Sequence, residues 1–242
     1  MFETALKNQL YRYLEDKNLL TKVQFGFRAK KSTTDAMINL ISQIIDGFEN
    51  GTTISGTFVD LSKAFDCVSH DLLLKKLKTC GLSAASMYLM ESYLSDRTQS
   101  VYFNNNYSNS IKTEVGVPQG SILGPLLFLI YVNDLPVCDS SCSFVLYADD
   151  TSFINAHENT ELLKISAKTS MEKINNWFKA NKLLLNETKT NNIFFTLRRD
   201  HTEMQHVNFL GIILQHQLQW DLHVNSLKKS LNKTIYLLRR LQ

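Results

Sequence analysis

FVLYADDTSF, residues 144–153, runs four apolar side chains, Phe144 to Tyr147, into Ala148 and two adjacent acids, Asp149 and Asp150. Thr151 to Ile154 then resume a pattern rich in β-formers, so the stretch reads as a β-hairpin with both acids at its turn. A turn accounts for one aspartate, because Asp is a good turn former. It accounts less well for two carboxylates ending an apolar strand, since neighbouring carboxylates repel and burial raises the cost of ionising both. A solvated turn is the bland alternative; a divalent cation held by oxygen ligands, Mg²⁺ by preference, is the sharper one.

A second strand tips the balance. TFVDL, residues 57–61, is short and apolar and delivers Asp60 near its end. Two such strands side by side would bring Asp60 and Asp149 together. Two-metal phosphoryl transfer needs that arrangement, with carboxylates bridging two cations that hold the attacking and leaving oxygens.

The rest of the chain bounds the possibilities. Its 242 residues, 44% hydrophobic and 20% charged, suit one large globular domain or two small ones. The net charge of +3 is mild, but Lys22, Arg28, Lys30 and Lys31 form one acid-free basic cluster. Lys228, Lys229, Lys233, Arg239 and Arg240 form another. Such clusters suit a phosphate backbone as readily as a solvated face. The four cysteines form no CxxC pair and complete no zinc spacing with His, so reduced thiols in an intracellular protein are expected, in nucleus or cytoplasm. The longest apolar run, 122–132, is too short to span a bilayer, and no signal peptide is visible.

Periodicity predicts helices over 3–19, 33–50, 71–80 (with Asp71 as N-cap), 84–94, 121–135, 160–181 and 223–241. In the second, Ala36, Met37, Leu40, Ile41, Ile44, Ile45 and Phe48 form the apolar stripe; in the last, Leu227, Leu231, Leu238 and Leu241 are expected inside. Strands are expected at 100–103 paired with 111–115, and at 191–197 and 207–214. Gly116, Pro118 and Gly120 fix a loop that lets backbone approach a ligand, with Gln119 in it. The order predicts an α+β fold whose antiparallel sheet is covered by helices on one side.

QFGFR at 24–28, FVDLSKAFD at 58–66, GVPQGSILGPLLF at 116–128, YADD at 147–150, LNETKT at 185–190 and FLGI at 209–212 occur in this order. Together they resemble the reverse transcriptase domain of non-LTR, LINE-type retrotransposons, of the jockey-like group. The resemblance implies a right-hand polymerase: partial fingers at 1–56, then mostly palm at 57–214 with a fingers insertion near 71–115, and the start of a thumb at 215–242. It implies that Asp60 and Asp149 bind metal with Asp150 beside them, using two Mg²⁺ ions with Mn²⁺ as a substitute. It implies that Phe65 lies under the deoxyribose and selects dNTPs, that Arg28 with Lys30 contacts the triphosphate, and that Gln119 and Gly120 touch the incoming nucleotide and template. Lys189 resembles the proposed general acid to the leaving pyrophosphate. The implied partners are an RNA template, a DNA primer or target DNA, and dNTPs. The family pattern also implies that the outer fingers and most of the thumb fall outside the chain. The competing expectation is therefore a folded nucleic-acid-binding remnant that no longer extends a primer.

Overall fold

The structure, a computed structural model, describes residues 1–118, 120–197 and 206–240. Helix α1 (Phe2–Asp16) leads through a loop to α2 (Thr33–Glu49). Ser32 begins α2 with a capping box: its hydroxyl accepts from Asp35 N, and the Asp35 carboxylate accepts from Ser32 N. Strands β1 (Thr53–Val59) and β2 (Leu61–Ser62) flank Asp60, and a 3₁₀ turn at Ala64–Cys67 follows. Next come α3 (His70–Thr79), α4 (Ala84–Leu94) and the two-residue strands β3 (Thr98–Gln99), β4 (Tyr102–Phe103), β5 (Asn106–Tyr107) and β6 (Ile111–Lys112). Helix α5 (Gly124–Val132), β7 (Ser143–Tyr147), β8 (Asp150–His157) and α6 (Thr160–Ala180) carry the chain to β9 (Leu184–Leu185) and β10 (Asn191–Phe195). Beyond residue 205 lie the hairpin β11 (His206–Phe209) and β12 (Ile212–Gln215), then α7 (Asp221–Arg240).

The central sheet runs β10-β1-β8-β7, antiparallel throughout. All seven residues of β1 are buried, which requires cover on both faces. Ile54, Phe58, Val145, Ile154 and Phe195 pack against Ala36, Met37, Leu40 and Ile44 of α2. Val59, Phe144, Leu146 and Phe153 pack against Phe128 and Tyr131 of α5 and Ile174 and Phe178 of α6. The expectation of helices on one side is corrected: β1 alternates apolar residues on one face with Thr53, Ser55, Thr57 and Val59 on the other. Small hydroxyl residues hide that second buried face from a hydropathy reading.

Four local expectations also change. The strand expected over 207–214 is instead the hairpin β11–β12, which turns at Leu210 and Gly211, both at positive φ. Helix α3 starts at His70, so Asp71 lies inside its first turn and Ser69 holds the N-cap position. Segment 98–112 forms two small ladders, β3 with β6 and β4 with β5, because the turn tightens to Asn104 and Asn105, both at positive φ. Ile45 of α2 is exposed, as are Leu227, Leu231 and Leu238 of α7, which touches the body through its start near β12. Leu241 lies outside the described residues. All four cysteines are free thiols. Among the described residues, no helix is long and apolar enough to cross a membrane.

Candidate active site

Strand β1 ends at Val59, which pairs with Thr151 at the start of β8. Asp60 is the next residue, so it emerges beside the turn that carries Asp149 and Asp150. That turn is a two-residue hairpin connection, Ala148–Asp149, closed by the Tyr147–Asp150 pair. Ala148 takes φ 56°, a left-handed conformation that costs a non-glycine residue about 1 kcal/mol. The apolar strand thus ends abruptly, and both acids project at the sheet's edge.

On the other side of β1, Leu61 pairs with Leu185 and Asn186 N donates to the Asp60 carbonyl at 2.9 Å. The following tight turn, held by Lys189 N and Thr190 N on the Asn186 carbonyl, brings Lys189 Nζ to 3.6 Å from Asp60 Oδ2. Lys189 is well exposed, so this pair adds little stability and leaves the ammonium free to meet another anion.

A cleft of about 390 Å³ opens here, lined by Asp60, Asp150, Thr188, Lys189, Asn191 and the tip of the β11–β12 hairpin at Asn208–Leu210. Asp149 does not line it but sits half-buried in the turn next door. Asp150 lines the cleft and remains partly exposed. Burial of its carboxyl, and then the charges of Asp149 and Asp60, push its pKa up to about 6. Asp149 and Asp60 are therefore close enough to oppose the ionisation of Asp150.

Hard oxygen donors that repel one another fit a divalent cation. Among the described residues no group of three or more His, Cys, Asp or Glu side chains is placed to hold a metal ion. Mg²⁺ can be held by only one or two carboxylates, with water or phosphate oxygens completing its shell.

The remaining expected residues divide. Phe65, half-buried in the 3₁₀ turn, stacks on Phe128 at 4.5 Å between centroids and meets Phe27 edge-on at 6.1 Å. Its carbonyl accepts from Val117 N, and Gly116 N donates to the Val68 carbonyl, so the 116–118 loop is tied to the Phe65 turn. His70 Nε2, 2.8 Å from the Gly116 carbonyl, adds a third tie that sequence reasoning missed. Gly120 takes φ 85° in open space, and Gln119 lies outside the described residues. Lys30 is exposed. Arg28 is turned away: its guanidinium grips Glu15 with two bonds, at 3.0 and 2.6 Å, and donates to the Thr21 carbonyl. In this structure Arg28 pins α1 to the loop that precedes α2.

The model of the family described as reverse transcriptase (RNA-dependent DNA polymerase) matches residues 1–214. The chain belongs to the reverse transcriptase family. This reverse transcriptase chain is 30% identical over 227 residues to the probable RNA-directed DNA polymerase from transposon BS of Drosophila melanogaster, covering 90% of the chain and 25% of that protein. It is 27% identical over 253 residues to the RNA-directed DNA polymerase from mobile element jockey of the same species, covering 95% of the chain and 27% of that protein. It thus spans about a quarter of the relatives' length, and the expected kinship with retrotransposon enzymes holds. Among solved structures, apo telomerase from Candida tropicalis aligns with a TM-score of 0.69 at 14% identity, covering 89% of this chain and 40% of that one. The fold is accordingly the right-hand polymerase fold.

Proposed function

We propose that this chain is the copying core of an RNA-directed DNA polymerase, adding dNTPs to a primer 3′ end opposite an RNA template. The observation that carries the reading is the convergence of Asp60, from the end of β1, with the Asp149–Asp150 turn on the neighbouring strand. In this reading 57–214 is mostly palm, with fingers before it and in part within 71–115, and 215–242 begins the thumb.

Asp60 and Asp149 would hold two Mg²⁺ ions, with Asp150 sharing the site. Bound there, the ions would lower the pKa of the primer 3′-hydroxyl and neutralise the triphosphate. The protein's own part is to fix positions. The β1–β8 ladder sets the spacing between Asp60 and the turn. Lys189 stands where a departing pyrophosphate would need a proton or a counter-charge. Phe65, backed by Phe128, presents a ring that excludes a 2′-hydroxyl. Lys30 is an exposed cation of the 22–31 loop, as is Lys22, and is available to a triphosphate, whereas Arg28 is engaged by Glu15.

The test is extension of a labelled primer on an RNA template with dNTPs and Mg²⁺, repeated with rNTPs and with EDTA. The reading predicts dNTP-dependent extension that EDTA abolishes. Salt-dependent binding of the duplex with no extension in Mg²⁺ or Mn²⁺ would contradict it and leave a binding remnant.

A further inference from the structure

The QFG of residues 24–26 is not absorbed by the proposed chemistry, yet it is among the most tightly held parts of the molecule. Gln24 is 3% exposed. Its side-chain Oε1 accepts from two backbone amides, Gly26 N at 2.8 Å and Ala148 N at 3.0 Å. Its Nε2 donates to the Ala148 carbonyl at 3.4 Å. The backbone on either side joins in: Phe25 N donates to the Leu146 carbonyl at 2.8 Å, and Leu146 N to the Val23 carbonyl at 2.9 Å. A Cβ on Gly26 would lie 2.2 Å from Ala148 N, so only glycine permits this approach.

The peptide so gripped is the one that needs it. Ala148 is the left-handed residue of the turn, and Asp149 and Asp150 follow it directly. A two-residue hairpin turn usually meets a positive φ with Gly or Asn. Here it is met with Ala, and strain of this kind persists only where surrounding structure over-determines it. A side-chain amide suits the task because it accepts and donates at once without charge. Glu would bring a negative charge beside two carboxylates, and Asn is one methylene shorter.

We propose that Gln24 is a positioning residue for the acidic turn. Its amide clamps the Ala148 peptide in the left-handed conformation and so sets the direction in which Asp149 and Asp150 leave the strand. The clamp also joins the turn to the 22–31 loop, so the loop carrying Arg28 and Lys30 is held in register with the acids. The consequence for metal uptake rests on the polymerase reading; the clamp itself does not.

The experiment compares the whole chain as wild type, Gln24→Leu, and Gln24→Leu with Ala148→Gly. Amide hydrogen exchange is read without metal, and Mn²⁺ uptake is titrated by electron paramagnetic resonance. Loss of the clamp should speed Ala148 exchange about tenfold in Gln24→Leu, equivalent to about 1.4 kcal/mol, while Phe153 exchange stays near wild type. The Mn²⁺ midpoint should rise about five- to tenfold, and Ala148→Gly, which removes the need for the clamp, should restore at least half of that shift. Unchanged Ala148 exchange, loosening shared equally by the whole sheet, or an absence of rescue by glycine would overturn the proposal. A wild type that takes up no Mn²⁺ would sink the polymerase reading instead, and the exchange data would still decide whether Gln24 holds the turn.

Discussion

Asp60 faces Asp150 on one side of β1 and Lys189 on the other. The Val59–Thr151 pair, continued by one residue, sets Asp60 opposite Asp150. On the other side the β1–β10 ladder ends at Phe58–Asn191, and the turn that precedes Asn191 brings Lys189 Nζ to 3.6 Å from Asp60. Antiparallel register on the β8 side and the tight Asn186–Thr190 turn on the other therefore assemble two carboxylates and an ammonium at one end of the strands.

The charge crowding at that edge has a measurable sign. The folded-state pKa of Asp150 is raised to about 6 from an ordinary 3.8, first by burial and then by Asp149 and Asp60. Between these values the folded protein binds more protons than the unfolded chain, so stability falls as pH rises from about 4 to 6. Asp150→Asn should therefore raise Tm at pH 7 in the absence of metal, and the gain should vanish below about pH 4. Solvent screening at this partly exposed site keeps the effect to about 1 kcal/mol, a shift of a few degrees. Thermal melts of both proteins from pH 3.5 to 8 in EDTA decide it; a gain that persists at pH 3.5 would show a cause other than the charge.

Arg28→Ala should cost stability rather than nucleotide affinity alone. The guanidinium is 10% exposed and makes a two-pronged bond to Glu15, so removing it should cost about 2 kcal/mol. Lysine should rescue little, because a point charge cannot replace the fork. Burial pushes the Glu15 carboxyl up, but bonds from Arg28 and Tyr11 outweigh it and leave it below its usual value. The pair's contribution should then be full at neutral pH and fade as pH drops below about 4.5. Urea unfolding of Arg28→Ala that matches wild type would contradict this assignment.

Much of this site was legible in the sequence, and the limits follow from physics. Asp60, Asp149 and Asp150 stood out because acids ending apolar strands break a local rule. The stripe of α2 follows from helical period, Ile45 excepted, whereas the Ser32–Asp35 box that starts it was seen only in the structure. The destination of Arg28 was not legible, since its partner Glu15 lies on a separate element and nothing local marks the pairing. The bond from Gln24 to Ala148 spans 124 residues, and no periodicity encodes a contact of that range. The second buried face of β1 was hidden because Ser55 and Thr57 read as polar.

Gly26→Ala should be among the most damaging small substitutions in the chain. Its Cβ would meet Ala148 backbone at 2.2 Å, and backbone atoms cannot swing aside as a side-chain tip can. A loss of about 2–3 kcal/mol is expected from overpacking of this kind. Chemical denaturation measures it, and a loss under 0.5 kcal/mol would mean the strand and loop separate more easily than their bonds imply.

Phe65→Val should relax sugar selection. The Phe65 ring is backed by Phe128 at 4.5 Å and cannot retreat, so a smaller side chain opens room for a 2′-hydroxyl. The ratio of rNTP to dNTP incorporation should rise on the order of tenfold or more. An unchanged ratio in single-nucleotide extension would place the sugar elsewhere.

The most direct measurement is single-turnover primer extension on an RNA template with dNTPs and Mg²⁺, comparing the wild type with Asp149→Asn. The asparagine keeps the size of the side chain and removes one negative charge. The account predicts extension by the wild type and a rate at least about 10³-fold lower in the variant, equivalent to about 4 kcal/mol of transition-state stabilisation. Extension by Asp149→Asn at close to the wild-type rate would contradict the assignment of the acidic turn as the metal site.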